Sequence, residues 1–139
     1  MATTTAQITL TSTDMADNAL SISNTMTLTT AGTETGITET TGLARKKIAS
    51  SSLADLITVA NTDVTAAKSA KVYIKNTSTA TDKYGLVGIG DSGGTPIYIG
   101  RLYGGDWMLI PWDANSGEDI TMTMNDATAT SIEYMVFFE

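Results

Sequence analysis

Short apolar runs separated by glycine or acidic turns fill the second half of the chain, from residue 71 to residue 139. Runs of this length and spacing, rich in β-branched and aromatic residues, are typical of strands in a β-sandwich or barrel. Some of them alternate apolar and polar side chains, which is the pattern of a strand with one face in water. The predicted strands are 72–74, 86–89, 97–99, 108–110, 120–124 and 132–138.

The first 45 residues have a different composition, because threonine makes up about a third of them and no lysine or arginine precedes Arg45. Threonine is β-branched and polar, so it suits half-exposed strands. Alternating apolar positions predict strands at 6–11 and 20–28, the second interrupted by a turn or bulge at 23–25. The segment 30–42 is rich in Thr, Gly and Glu and is predicted to be a mobile loop or arm.

One short helix is predicted near the middle of the chain, over about two turns from residue 52 to residue 60. Ser52 with Asp55 three residues later is a capping-box pattern. Leu53, Leu56 and Ile57 then fall on one helical face. Apart from this segment, the pattern predicts an all-β chain.

Composition and charge exclude several classes of protein. The net charge is −7, and all eight basic residues lie between Arg45 and Arg101. Because binding to nucleic acid or to anionic membranes depends on Lys and Arg, we expect neither as a partner. The chain has no Cys and no His, which removes thiol chemistry, the commonest general base and the commonest metal ligand. We therefore expect no enzyme and no cofactor.

Two matches to catalytic motifs overlap in one glycine-rich stretch. Residues 90–94, Gly-Asp-Ser-Gly-Gly, spell the serine motif of trypsin-like proteases, but that chemistry needs a base and the chain has no histidine. Residues 88–93 have the glycine spacing of a dinucleotide fingerprint, which requires a helix directly afterward, and a predicted strand follows instead. Both matches are interpreted as a glycine turn between two predicted strands.

An acidic loop is a candidate calcium site. Asp113, Asn115 and Asp119 place oxygen ligands at alternate positions, which is an arrangement that calcium favours. The order departs from that of an EF-hand, and a polar hairpin between two strands explains the loop equally well.

Two further groups are candidates for contacts with partners. Aromatic side chains around a glycine turn can stack a sugar ring, although aromatics at strand ends more often complete a core or a subunit interface. A basic cluster in an acidic chain is either a solvated turn or a docking point for an acidic partner. The aromatic group is Tyr103, Trp107 and Trp112, and the basic cluster is Arg45, Lys46 and Lys47.

Short motifs between residues 71 and 139 occur in an order that resembles a known class. They are Lys-Val-Tyr-Ile-Lys-Asn at 71–76, Ile-Tyr-Ile-Gly-Arg-Leu at 97–102, Gly-Gly-Asp at 104–106, Leu-Ile-Pro-Trp at 109–112, Asp-Ile-Thr-Met at 119–122 and Ile-Glu-Tyr-Met-Val-Phe-Phe-Glu at 132–139. This order resembles small structural proteins of tailed bacteriophages, including jelly-roll head decoration (cement) proteins of marine phages. The resemblance covers about half the chain and carries over no catalytic residue.

The change in composition predicts Thr-rich strands and an arm at 1–45 and an antiparallel β-sandwich at 46–139, all in one structural domain. The resemblance implies that this sandwich is a jelly roll. It implies a protein that is made in the host cytoplasm and sits on the outer surface of the virion. There it would bind the major capsid protein, form a homotrimer and stabilise the head, with the basic cluster and the aromatic group at its interfaces. A tail, baseplate or head-fibre component and a carbohydrate-binding β-sandwich module are the alternatives.

Overall fold

A computed structural model describes residues 4–13, 20–28, 37–50, 52–62, 64 and 70–139. These residues form strands and one short 3₁₀ turn, and they divide into two compact units, 1–38 and 39–139. No helix in the described part of the chain is long and apolar enough to cross a bilayer. The strands are β1 (Thr5–Ser12), β2 (Leu20–Thr27), β3 (Glu39–Thr40), β4 (Ala44–Ile48), β5 (Ala54–Ile57), β6 (Ala70–Asn76), β7 (Tyr84–Ile89), β8 (Ile97–Tyr103), β9 (Trp107–Trp112), β10 (Ile120–Met124) and β11 (Thr130–Phe138).

The first unit contains an antiparallel hairpin of β1 and β2, which pair without interruption from Thr5 opposite Thr27 to Ser12 opposite Leu20. The predicted break at 23–25 is therefore wrong, because these residues lie inside β2. Residues opposite each other share a face of the hairpin. One face consists of Thr, Ser and Gln alone, and the other carries Ile8, Leu10 and Ile22, which are exposed.

The second unit is a sandwich of two antiparallel sheets. One sheet has the order β4-β11-β6-β9, with the short β3 also paired to β11, and the other has the order β5-β10-β7-β8. Counted along the unit from β4, the strand orders are 1-8-3-6 and 2-7-4-5, which is the topology of a jelly roll. The predicted fold class is confirmed.

The hydrophobic core lies between the two sheets. Alternate side chains of β6 are buried, and so are those of β10 and β11 that face the same space. Each large apolar side chain that is fully buried contributes about 1.5–3 kcal/mol. Every strand predicted between residues 71 and 139 falls within an observed strand, so those predictions are confirmed. Among the fully buried side chains are Val72, Ile74, Val87, Ile120, Met122, Ile132 and Val136.

The helix predicted at 52–60 is wrong. Residues Ala54–Ile57 form β5, which pairs with β10, and Val59–Asn61 form the 3₁₀ turn. Leu56 and Ile57 are both buried, so the apolar positions that suggested one helical face belong to a strand. Local periodicity could not show this, because the strand that decides it lies more than sixty residues further along the chain.

The sandwich begins ahead of the boundary predicted at 45/46. Both β3 and β4 pair with β11, so the second unit starts at residue 39. Of the predicted arm at 30–42, residues 30–36 lie outside the described residues, and Glu39–Thr40 form β3.

Candidate interaction surfaces

The sandwich has two lateral sides, at which edge strands of both sheets are neighbours. One, called here the β4/β5 side, is bounded by β4 with β3 from one sheet and by β5 from the other. The opposite one, the β8/β9 side, is bounded by β8 and β9, which are joined by the turn at 104–106. These two sides differ in length, charge and exposure of their edge strands.

On the β4/β5 side, a lysine connects the edge strands of the two sheets. The ammonium of Lys46 donates a hydrogen bond to the backbone carbonyl of Asp55, which links the edge of one sheet to the edge of the other. Its edge strands are short, at five residues for β4 and four for β5. Short strands and lysine side chains are features that keep a sheet edge from pairing with another chain.

The other two members of the basic cluster point away from this bridge. Arg45 and Lys47 lie on the outer face of the sheet, opposite Glu133 and Ser131 of β11, and both are exposed. The guanidinium of Arg45 donates from Nε and Nη2 to one carboxylate oxygen of Glu133, at 2.8 and 2.5 Å. The structure therefore divides the cluster into one bridging lysine and two surface cations.

One row of side chains continues across the outer face of this sheet from Arg45. Glu133 lies opposite Lys75 on β6, and Lys75 lies opposite Trp107 on β9. The indole of Trp107 is 50% exposed, and its ring centroid lies 6.3 Å from that of Tyr73. Partial burial, with a smaller effect from Glu133, raises the pKa of the Tyr73 phenol above its ordinary value.

The three predicted aromatics occupy three different environments. Trp107 lies on the outer face of one sheet, while Tyr103 lies on the outer face of the other, with its ring 5.2 Å from that of Tyr84. Trp112 is only 4% exposed and belongs to the core, where its indole N–H donates to the carbonyl of Glu118 at 2.7 Å. They form no common platform, and Trp112 is a packing residue in this chain.

The β8 strand is a long apolar edge. It has seven residues, of which only Leu102 is buried. Ile97 is 77% exposed, Tyr98 49% and Ile99 44%. Its single charge is Arg101, whose guanidinium carbon lies 4.6 Å from the centre of the Tyr84 ring. An edge of this kind is a template for a further strand.

On the β8/β9 side, the buried side chain of Asn76 connects the two sheets. This side chain is fully buried, and its amide nitrogen donates to the carbonyls of Leu102 at 3.0 Å and Lys83 at 3.2 Å. Its side-chain oxygen accepts from the backbone N–H of Ser78 at 3.0 Å. Since Asn76 ends β6 and Leu102 lies in β8, one amide ties the two sheets together. A groove of about 440 Å³ opens beside it, lined in part by Arg101, Asp106 and Trp107.

The serine stretch at 90–94 forms the start of the connection between β7 and β8, and a strand follows it. Its interpretation as a glycine turn is confirmed, and Gly90 there has a positive φ of 126°. The hydroxyl of Ser92 donates to Asp55 Oδ2 at 2.7 Å, and its backbone N–H donates to Asp55 Oδ1 at 2.8 Å. The serine thus ties this loop to β5, next to the Lys46 bridge.

The acidic loop after β9 is held by a hydrogen bond within the loop and by one from the 3₁₀ turn. Asn115 donates to Asp113 at 2.8 Å, whereas Asp119 is buried and accepts the backbone N–H of Val59 at 2.8 Å. Within the described residues, no cluster of three acidic side chains is placed to hold a metal ion. The geometry therefore favours the polar-turn interpretation of this loop and adds no support to the calcium hypothesis.

Sequence reasoning missed Asp55, Asn76 and the exposure of β8. Both polar side chains act on backbone groups that are distant in sequence, so no local spacing marks them. The apolar run at 97–99 did predict a strand, but only the sheet order places that strand at an edge. Comparison with known proteins finds no matching family profile, no matching curated protein and no matching solved structure.

Proposed function

We propose that the protein is a structural component of a bacteriophage virion, a decoration protein that binds the outer major-capsid lattice and stabilises the head. The order of motifs at 71–139 supports this function, as does the jelly-roll sandwich in which they lie. The net charge of −7 suits a position that faces water rather than packaged DNA.

The outer face of the β4-β11-β6-β9 sheet is the observation that carries the proposal. It presents Lys75 directly opposite the half-exposed Trp107. The cations Arg45 and Lys47 lie at the β4 edge, with Glu133 between Arg45 and Lys75. Arginine and tryptophan are enriched among residues that dominate binding energy at protein interfaces. Cations in an otherwise acidic chain would also orient it on an acidic partner surface. We therefore assign this face to the contact with the capsid.

Labelling of purified phage particles whose genome encodes this chain tests the assignment. We expect antibody label in negative-stain images to cover the head at regular positions. Label confined to the tail or baseplate would replace decoration by the alternative of a tail component. Particles without the protein, by label and by mass spectrometry, would overturn a virion role altogether.

Binding of the purified protein to heads that lack it tests the surface. Trp107→Ala should weaken binding at least about tenfold, as loss of an interface anchor does. The matched control is Ile22→Ala, because Ile22 is an exposed apolar residue of the β1–β2 hairpin and belongs neither to this face nor to β8. Equal binding by both variants would remove this face from the proposal. A glycan array tests the remaining alternative, a carbohydrate-binding module. Such a module would give specific signals on the array, whereas a decoration protein would give none.

A further inference from the structure

We propose that two copies of this protein associate through antiparallel pairing of their β8 strands, so that the β5-β10-β7-β8 sheet continues from one copy into the next. The resulting dimer has two-fold symmetry. This inference stands apart from the virion role, because it depends only on the edge strand of the sandwich.

The edge of β8 offers what a strand partner needs. On the side away from β7 it has no neighbouring strand in the sheet order. In the described part of the chain, side chains bond to its backbone only at its C-terminal end. There Asn76 donates to the Leu102 carbonyl, and the Tyr103 N–H donates to Asp106.

The β8 side chains Ile97, Tyr98 and Ile99 are exposed, so pairing would remove apolar surface from water as well as satisfy backbone groups. Neither a proline nor a lysine lies within the strand to block such pairing.

A second copy is the occupant that fits this edge best. Each copy carries a net charge of −7, so two copies can meet closely only where acidic groups are absent. No acidic residue lies in β8, and its only charge is Arg101. The edge at β4 carries Arg45, Lys46 and Lys47, and β5 has only four residues. The remaining edge, β9, is interrupted by Pro111. Among the lateral edges of the sandwich, β8 therefore finds its apolar complement in another β8.

The pleat of the strand selects one register for this pairing. Tyr98 and Arg101 both lie on the outer face, opposite Gly88 and Leu86 of β7, whereas Leu102 lies on the core face with Ile97. The pairing with β7 is irregular beside Ile99. This irregularity puts Tyr98 on the same face as Arg101, and Ile97 on the same face as Leu102, which a regular strand would not do. Residues directly opposite each other must share a face.

That requirement is met when Tyr98 of one copy faces Arg101 of the other and Ile97 faces Leu102. Each interface then contains two Tyr–Arg pairs, related by the two-fold axis, in which the guanidinium lies against an aromatic ring. A shift of one residue would place outer-face residues opposite core-face residues and lose both contacts.

The mass of the protein in solution, measured by sedimentation equilibrium, is the first test. We expect a reversible dimer of 14.6 kDa chains. Ile97→Lys and Ile99→Lys should each weaken the dimer at least about tenfold, since an edge lysine opposes strand pairing. Thr81→Lys is the matched control, because it adds the same charge at an exposed loop position, and its dimer should be as strong as that of the unchanged protein. Near-ultraviolet circular dichroism confirms that each variant is folded.

Three results would overturn the pairing. The first is a monomer at concentrations up to about 1 mM, where even weak specific association is measurable. The second is a trimer, the state that the resemblance to decoration proteins implies, since paired β8 strands cannot form one. The third is a dimer that Ile97→Lys and Ile99→Lys leave as strong as Thr81→Lys does.

Engineered cysteines test the register, with no background because the chain has no native cysteine. A mixture of Tyr98→Cys and Arg101→Cys should give a disulfide-linked heterodimer on mild oxidation, since opposed residues meet disulfide geometry. Each variant oxidised alone should give at most a minor product. Cross-linking of the separate variants that equals that of the mixture would contradict the register. Failure of either β8 test leaves the head-binding assay unaffected, so the two proposals fail separately.

Discussion

The β4/β5 side and the β8/β9 side of the sandwich are held together by different chemistry. On the β4/β5 side the connecting hydrogen bonds lie near the surface. Lys46 donates to the backbone carbonyl of Asp55, and the Asp55 carboxylate accepts from the hydroxyl of Ser92. On the β8/β9 side the buried amide of Asn76 connects the two sheets. The exposed side chains of β8 are mainly apolar, and no lysine or proline in the strand opposes pairing with another chain. The first arrangement blocks further strands, whereas the second leaves an edge available without weakening the sandwich behind it.

Under the proposed pairing of two copies, this difference is how a small β-protein keeps one edge available for assembly. An exposed apolar edge is a hazard, and proteins usually blunt it with short strands or charges. Here the protected side has those features and β8 lacks them. We infer that the buried hydrogen bonds of Asn76 allow β8 to remain long and apolar, because they connect the two sheets without any group on the outside of the strand. The following variants test the comparison, from the largest expected effect to the smallest.

Removal of the Asn76 side chain should give the largest loss. Asn76→Ala leaves the carbonyls of Leu102 and Lys83 without their donor inside the protein. We expect the free energy of unfolding to fall by about 3 kcal/mol, measured by urea denaturation. The control is Asn125→Ala, because Asn125 bonds to Tyr84 and Asp82 in a similar way but is exposed, and it should cost about 1 kcal/mol or less. Equal losses would show that burial of Asn76 is not what fastens this side.

The carboxylate of Asp55 should come second. It accepts two hydrogen bonds from Ser92, so Asp55→Ala should lower the free energy of unfolding by about 2 kcal/mol. Ser92→Ala keeps the backbone N–H contact and should cost about half as much. A larger loss for Ser92→Ala than for Asp55→Ala would contradict the role given to this carboxylate.

The Lys46 bridge should contribute less, since it is exposed to water. Lys46→Ala removes the donor to the Asp55 carbonyl and should cost below about 1 kcal/mol. Lys47→Ala changes the same charge on the next residue of β4, on the outer face, and should leave stability nearly unchanged. Thermal melts of the pair at one salt concentration measure the difference, and identical melting temperatures would remove the bridge from the comparison.

The smallest effect should come from a half-buried pair, Lys83 and Asp126, at the loops that flank β7 and β10. The hydrogen bond from the Thr128 backbone N–H, followed by that from Lys83, lowers the pKa of Asp126 from its usual 3.8. A lowered pKa in the folded state means that the stabilisation is present above pH 3.8 and is lost as pH falls through the folded-state value. Asp126→Asn should therefore lower the melting temperature slightly at pH 7 and change it little at pH values below the folded-state pKa, so that the decline on acidification becomes flatter. An unchanged acid profile would contradict this contribution.

Much of the fold could be predicted from the sequence because its strands carry their own patterns. The apolar runs within β6, β7, β8, β9, β10 and β11 have the residue types and the bounding turns of strands, and each one is observed. The segment at β5 failed because four residues are too few to show a period, and their partner lies in β10. The break predicted inside β2 failed because Ser23 and Thr25 belong to the polar face of a regular hairpin.

The candidate site was less predictable, since it depends on which strands lie at edges. Exposed Trp107 and buried Trp112 belong to one strand and look alike in the sequence, and only the pleat of β9 separates them. The same holds for Lys46 and its neighbours on β4, which alternate between a bridge and the outer face.

The sequence by itself determined that the chain is mainly β, that it lacks thiol and imidazole chemistry and that its net charge is negative, because these follow from residue types and their spacing. Only the tertiary structure decided that β8 is an unprotected edge and that Asn76 and Asp55 hydrogen-bond to distant segments. It also decided that the basic cluster consists of one bridging lysine, Lys46, and two surface cations. Each of those depends on a partner far away in the chain, and the position of that partner is set by strand order and register rather than by any local pattern.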